Sequence, residues 1–356
     1  MKAYGEIMKL TAKNNLRPLV WLCLAFVSIL MHGCASLDQG NTQSTASVNQ
    51  CVLVDTDFDI DDMMAIPLVI GHKHVAAIVT SEGYTKPALG AAALSRLIAE
   101  PNQRPIPVIA GASTHLDEKK IVSDWGPFVL QYRDLMNRIN NFTVSEMPPT
   151  EVNPDYTAQV VKAVSHCKSV EVLIIGTFSS FVNYSPQIES KIGRVVIMGK
   201  ALEGDTTQRP GNFTFNCEYD MPACKKVFYE QLPKYQYVYV DVPRSKCDNT
   251  PNSAGCKGTV YGPTLDMVKN LDSQGLPNTL KKVLLGYTNS WNLDTWPNKV
   301  YGGKTLLWDQ SAALYMVYPE IFKKLGGPSG HFEAAVSPEE FRAKWTEATN
   351  QAKTYK

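Results

Sequence analysis

Five aspartates, Asp55, Asp57, Asp59, Asp61 and Asp62, fall within eight positions of this chain. Carboxylates this close repel one another unless a cation or strong hydrogen-bond donors neutralise them. An oxygen-only ligand set favours a hard cation, Ca²⁺ or Mg²⁺, over zinc. The acids follow the apolar run Cys51-Val52-Leu53-Val54 and precede Met63-Met64-Ala65-Ile66-Pro67-Leu68-Val69-Ile70. The first run reads as a buried parallel strand and the second as the helix behind it. The acids then lie at the carboxyl end of a strand, where open α/β sheets bind their ligands. The plainer alternative is a solvated acidic loop that caps a helix. The apolar strand directly before the acids argues against it.

Two lookalikes fail. A calcium-binding EF-hand loop needs Gly at its sixth position and a carboxylate at its twelfth; those positions here hold Ile60 and Ile66. A haloacid-dehalogenase-type phosphatase also places D-x-D after its first strand, but Asp57-Phe58-Asp59-Ile60 fits it poorly and Asp61-Asp62 goes unexplained.

The rest of the chain supplies a frame for such a site. Strand-like runs at 75–80, 107–111, 170–176, 195–198 and 235–242 alternate with helix-like runs at 89–98, 156–165 and 311–317, and helices fill most of 263–292. That alternation predicts a single-domain α/β fold, a doubly wound and mostly parallel sheet flanked by helices.

The ends and the cysteines speak to compartment. Lys2, Lys9, Lys13 and Arg17 precede an uncharged apolar stretch, 18–31, that closes on Gly33-Cys34-Ala35-Ser36. Residues 1–33 read as a signal peptide, too short in their apolar core to span a membrane comfortably. Gly33-Cys34 resembles a bacterial lipobox, so Cys34 is expected to carry a lipid anchor, with a flexible tether over 34–50 and the folded domain over 51–356. Ala35-Ser36 lacks the Asp that retains lipoproteins at the inner membrane. The expectation is therefore an exported, outer-membrane-anchored lipoprotein facing the periplasm. The whole chain carries +1, and residues 1–33 carry +3, which leaves the remainder near −2. Nothing there favours binding to nucleic acid. Six cysteines remain beyond Cys34, an even number that suggests disulfides in an exported protein. Cys247 and Cys256 flank a turn-rich loop, Cys51 and Cys167 stand before two predicted strands, and Cys217 and Cys224 are left for each other.

The pattern D-x-D-x-x-x-D-D at Asp55, Asp57, Asp61 and Asp62 resembles the first-strand motif of the inosine-uridine-preferring nucleoside hydrolase family, DTDPGxDD. Further segments match in order. Ile78-Val79-Thr80-Ser81-Glu82-Gly83 stands at the family's second strand, and 106–111 is similar to its VPVxxG segment. Ile174-Ile175-Gly176-Thr177-Phe178-Ser179-Ser180 stands at its GPLTN turn, and Arg194-Val195-Val196-Ile197-Met198-Gly199 resembles RVVLMGG. Phe215-Asn216 followed by Asp220 resembles EFNxxxDP, and Trp308-Asp309 occupies the place of an His-Asp or Trp-Asp pair that opens a helix.

The resemblance implies Ca²⁺-dependent hydrolysis of the N-glycosidic bond of a nucleoside. It implies Asp57, Asp62, Asp309 and the carbonyl of Ile175 as calcium ligands, and Asp57 also as the catalytic base. Asp61 and Asn216 would bind sugar hydroxyls, and Asp55 would orient the loop. Trp308 and Trp125, 14 residues past Gly111, would sandwich a purine. Departures fall mainly on the sugar side. Phe58 and Asp59 replace Pro and Gly of the first motif, Tyr84 replaces a ribose-binding Asn, Lys200 replaces a Gly, and Thr214 replaces a Glu. Two other functions fit the same pattern: a lipoprotein that binds a nucleoside or sugar without hydrolysing it, and a hydrolase of another ribosyl compound. The sequence also leaves room for a homo-oligomer.

Overall fold

The computed structural model describes residues 48–114, 130, 155–199, 214–241, 261–286, 308–325 and 330–355. At its centre is strand β1, Val48–Thr56. Its side chains alternate between the two faces of the sheet, as a strand requires. Val52 and Val54 join one hydrophobic core, Cys51 and Leu53 the other. With both faces covered, the strand can be apolar throughout, which is why it reads as an unbroken run.

The chain continues through helix α1 (Ile60–His72), β2 (Val75–Thr80), α2 (Pro87–Leu97), β3 (Val108–Ala110), α3 (Tyr156–Ala163), β4 (Cys167–Ile174) and β5 (Ile192–Met198). Next come a short helix α4 (Phe215–Tyr219), β6 (Gln236–Asp241), α5 (Gly275–Gly286), α6 (Asp309–Val317), β7 (Phe322–Lys324), β8 (His331–Ala334) and α7 (Pro338–Gln351). The sheet runs β3-β2-β1-β4-β5-β6-β8-β7, and every pairing is parallel except β7 with β8. The expected doubly wound α/β fold is present.

The order reverses at β1, which has β2 on one side and β4 on the other. A crevice opens at such a switch point, beyond the carboxyl ends of the strands. Helix α1 leaves β1 directly under it and is buried from Ile60 to Gly71. It packs against α6 and α7, and the indole of Trp345 in α7 donates to the carbonyl of Met64 at 3.0 Å. A helix that is apolar all round is one enclosed on all sides. β7, β8 and α7 are not expected from the sequence. The two strands are three and four residues long, too short to show a period. Helix α7 did carry a start signal: Ser337 caps it, with Pro338 and two acids behind.

Two disulfides are formed, Cys51–Cys167 and Cys217–Cys224. The first joins the amino-terminal parts of β1 and β4. Both cysteines lie within their strands, Cys51 as the fourth residue of β1 and Cys167 as the first of β4, and not ahead of them as expected. The Cys247–Cys256 pair, Cys34, Trp125 and Lys200 lie outside the described residues. Among the described residues no helix is long and apolar enough to cross a membrane.

Candidate active site

Asp55 to Asp62 turn from the end of β1 into the first turn of α1, and all five acids are buried. The turn is closed by a capping box. Asp59 is the N-cap of α1 and accepts from the amide of Asp61 at 2.9 Å. Asp62 reaches back to accept from the amide of Asp59 at 2.9 Å. Its other oxygen accepts from the hydroxyl of Thr56. The D-I-D-D spacing is that of a capping box, so Asp59 had a readable place even though the family motif has Gly there.

Phe58 adopts a positive φ of 46°, which costs a non-glycine residue about 1–2 kcal/mol. Its amide donates to Thr56 Oγ1 at 3.0 Å and its carbonyl accepts from Thr85 Oγ1 at 2.9 Å, which together hold it there. The proline of the family motif could not take this φ. The loop is therefore built differently from DTDPG.

Asp57 accepts from the amide of Tyr84 at 2.9 Å. Two glycines make room for it. A Cβ on Gly83 would collide with its carboxylate, and one on Gly176 would collide with the backbone of Thr56 and Asp57. Asp55 accepts from Ser81 Oγ at 2.6 Å. Asp61 accepts from the amides of Trp308 and Asp309, at 2.7 and 3.3 Å, and so caps the start of α6. Two helix N-termini, those of α1 and α6, thus point their partial positive charge into one nest of acids.

Carboxylate oxygens of Asp59, Asp61, Asp62 and Asp309 lie within 4.8 Å of one another. Burial and mutual repulsion raise the pKa values of Asp59, Asp62 and Asp309 well above the ordinary carboxylate value. Burial is also the main cause that pushes Asp55 and Asp57 up to about 7. Oδ1 of Asp309 is buried and has no hydrogen-bond partner among the described residues. An orphaned carboxylate oxygen beside three other acids fits a hard divalent cation, whose oxygen ligands stand about 2.3–2.6 Å from it for calcium.

Of the expected ligands, Asp62 and Asp309 are in this group, Asp61 joins them, and Asp59 is a further member. Asp57 lies beside the group and repels Asp62 and Asp309 electrostatically. Ile175 follows β4 across the crevice, and its carbonyl accepts from Asn216 Nδ2 at 2.7 Å. Tyr84 stacks on Phe215 with ring centroids 4.1 Å apart, and Tyr219 packs on Phe215 at 5.3 Å. Trp308 is half-buried at the head of α6.

Glu82 has no role in the sequence reading, yet it organises the rim. It accepts from Lys86 at 2.8 Å, Tyr219 at 3.0 Å, the amide of Thr114 at 2.9 Å, and Ser113 Oγ. Burial would raise its pKa, but these donors outweigh it and hold the carboxyl at about 2. Lys86 is four positions away, a local pair the sequence could show, but Ser113, Thr114 and Tyr219 come from distant segments.

A mostly parallel sheet with an oxygen-only, buried acid cluster at its switch point defines an α/β protein whose acids could hold a metal ion. Residues 52–351 match the inosine-uridine preferring nucleoside hydrolase family, and the chain belongs to it. The family is metal-dependent, and the acid cluster is where these residues fit an ion. The chain is 29% identical over 195 residues to the pyrimidine-specific ribonucleoside hydrolase RihA of Escherichia coli O81 (strain ED1a). That match covers 51% of this chain and 58% of the relative, so the chain spans little more than half the length of the curated relatives it matches. The fold is similar to that of the inosine-uridine preferring nucleoside hydrolase from Bacillus anthracis, with a TM-score of 0.54 at 15% identity, over 85% of this chain and 99% of that one. It is also similar to the purine-preferring ribonucleoside hydrolase from Gardnerella vaginalis, with a TM-score of 0.52 at 15% identity, over 85% and 99% of the two chains.

Proposed function

We propose that this chain hydrolyses the N-glycosidic bond of nucleosides, purine ribonucleosides foremost, to free base and ribose, with Ca²⁺ held by its acid cluster. The observation that carries the reading is the buried convergence of Asp59, Asp61, Asp62 and Asp309 at the switch point, with one oxygen of Asp309 unpartnered. Asp57, Asp62, Asp309 and the Ile175 carbonyl are the proposed ligands, and Asp59 stands ready to join them. The ion's contribution is Lewis acidity toward a water.

The rest belongs to the side chains. Asp57, fixed by the Tyr84 amide and fitted between two glycines, takes a proton from the attacking water as its oxygen bonds to the sugar's anomeric carbon. The bond to the base nitrogen breaks as that bond forms; its electron pair stays on the nitrogen, which takes up a proton from solvent as the base departs. Asp61 and Asn216 bind sugar hydroxyls. The half-buried Trp308 supports an aromatic seat for the base, and a purine offers it the larger face. The relatives' names point both ways, one pyrimidine-specific and one purine-preferring, so pyrimidine nucleosides are the necessary comparison.

Reducing sugar released from a panel of purine and pyrimidine nucleosides, with and without chelator, tests the reading on protein lacking residues 1–34. Release that needs calcium supports it; a panel with no release in calcium overturns it. A second reading is a protein that binds a nucleoside or sugar without turnover. It is favoured by the amide of Asn216, which is committed to Ile175, and by the additional carboxylate of Asp59. Calorimetric binding with no sugar released would support that reading instead. The two disulfides are consistent with an oxidising compartment; export and a lipid anchor at Cys34 are proposed from the sequence alone.

A further inference from the structure

The amino ends of the central strands hold a second cluster with a different chemistry. Cys51 lies in β1 and Cys167 opens β4; they are disulfide-bonded and buried. His166 directly precedes Cys167, and His74 directly precedes β2. His74 is held by its backbone, whose carbonyl accepts from the amide of Val52 at 2.8 Å. Pairing of β1 with both β2 and β4 therefore brings all four side chains together. Nε2 of His166 lies 3.4 Å from Nε2 of His74, 3.9 Å from Sγ of Cys51 and 3.7 Å from Sγ of Cys167. Donor atoms of Cys51, His74 and His166 all lie within 4.8 Å of one another.

We propose that this cluster is a redox-gated zinc site, which binds Zn²⁺ through Cys51, Cys167, His74 and His166 when the Cys51–Cys167 bond is reduced. Tetrahedral zinc with its usual bond lengths sets its nitrogens about 3.3 Å apart and nitrogen to sulfur about 3.5 Å apart. The observed separations of 3.4, 3.7 and 3.9 Å are within a few tenths of an ångström of those edges. The two sulfurs must part, to about 3.8 Å, and Cys167 must draw closer to His74, because its sulfur stands outside the 4.8 Å group formed by Cys51, His74 and His166. Two sulfurs and two imidazoles are the donor set that suits zinc and does not suit the hard cation of the acid cluster. Both histidines are only partly buried, which leaves the ion a way in. Burial and the neighbouring Arg104 hold the pKa of His74 below its ordinary value, which favours the neutral ring that a metal needs.

The redox step balances simply. A dithiol reductant gives two electrons and two protons to the Cys51–Cys167 bond and closes its own disulfide. Zn²⁺ then displaces the two thiol protons as it binds the thiolates. A disulfide oxidant reverses the sequence: it takes the two electrons, the cysteines bond again and the ion leaves.

Cobalt(II) is the probe, because thiolate-bound tetrahedral cobalt has a ligand-to-metal charge-transfer band and intense visible bands. The full-length protein is reduced with a dithiol, desalted under nitrogen and titrated with Co²⁺, then with Zn²⁺, beside an oxidised sample. The expected result is cobalt bands in the reduced protein only, bleached by one equivalent of zinc. The His74→Ala/His166→Ala variant should lose the bands and bind zinc at least tenfold more weakly. The single His166→Gln variant should weaken them. The Cys217→Ser/Cys224→Ser variant should keep them. Absence of bands in the reduced wild type overturns the proposal, and so do bands that survive in the double histidine variant.

Discussion

Nδ2 of Asn216 donates to the carbonyl oxygen of Ile175 at 2.7 Å, and this bond ties α4 to the end of β4 across the crevice. The two residues were expected to have separate tasks, one on the sugar and one on the metal. The bond makes them a unit. A carbonyl has two lone pairs, so one can accept from Asn216 while the other faces a cation. The amide fixes the direction in which the carbonyl points.

Asn216→Ala should therefore weaken calcium as well as substrate. Loss of a group that orients a ligand typically costs 10- to 100-fold in metal affinity. We expect about a tenfold loss by calorimetry with an unchanged circular dichroism spectrum. Unchanged calcium affinity with slower turnover would assign Asn216 to the sugar alone.

The acid cluster makes stability depend on pH in a direction that can be stated. Asp55 and Asp57 are held at about 7 against an ordinary 3.8, and Asp59, Asp62 and Asp309 are also raised. In chelator, the folded chain keeps these protons above pH 3.8 while the unfolded chain gives them up. The unfolded state then binds fewer protons, so stability falls as pH rises from about 4 toward about 7. A bound cation favours the charged forms, so its stabilisation grows over the same range. Melting curves in chelator and in calcium at pH 5 and pH 7.5 should show a gap that widens with pH. A gap independent of pH would contradict the cluster as the binding site, and so would an Asp62→Ala variant that calcium still stabilises.

Much of this was legible because the local code was consistent. An apolar strand running straight into acids sets β1, α1 and the switch point in one stroke, and Trp308-Asp309 marks the start of α6. What could not be read depends on contacts between distant segments. The Asn216–Ile175 bond spans 41 positions, and Tyr219 reaches Glu82 across 137. The positive φ of Phe58 was hidden for another reason, since a buried aromatic is the last residue that propensity would place there.

The disulfides should differ in weight. Cys51–Cys167 closes a separation of 116 positions and Cys217–Cys224 one of 7. By loop-closure entropy, removing them costs about 5 and about 2 kcal/mol respectively. Denaturant titrations of the Cys51→Ser/Cys167→Ser and Cys217→Ser/Cys224→Ser pairs should reproduce that order. Equal losses would show that local packing around the sulfurs matters more than the loops they close.

The base preference is tested at Trp308. Its amide, not its indole, donates to Asp61 at 2.7 Å, so replacing the side chain leaves that link to the acid cluster in place. Stacking of a base on an aromatic ring contributes about 0.5–1.5 kcal/mol beyond burial, or roughly 2- to 13-fold in rate. Trp308→Ala should then lower turnover of inosine by about that factor or more and leave calcium affinity nearly unchanged, while Trp308→Phe should recover part of the loss. The loss should be smaller for uridine, whose ring offers less surface. The aromatic pair of Tyr84 and Phe215, stacked at 4.1 Å beside Asp57, is the competing seat for the base. If Trp308→Ala turns over inosine at the wild-type rate and Phe215→Ala does not, the base lies on that pair instead. Turnover of uridine equal to or faster than that of inosine in the wild type would end the purine reading and leave the hydrolysis itself standing.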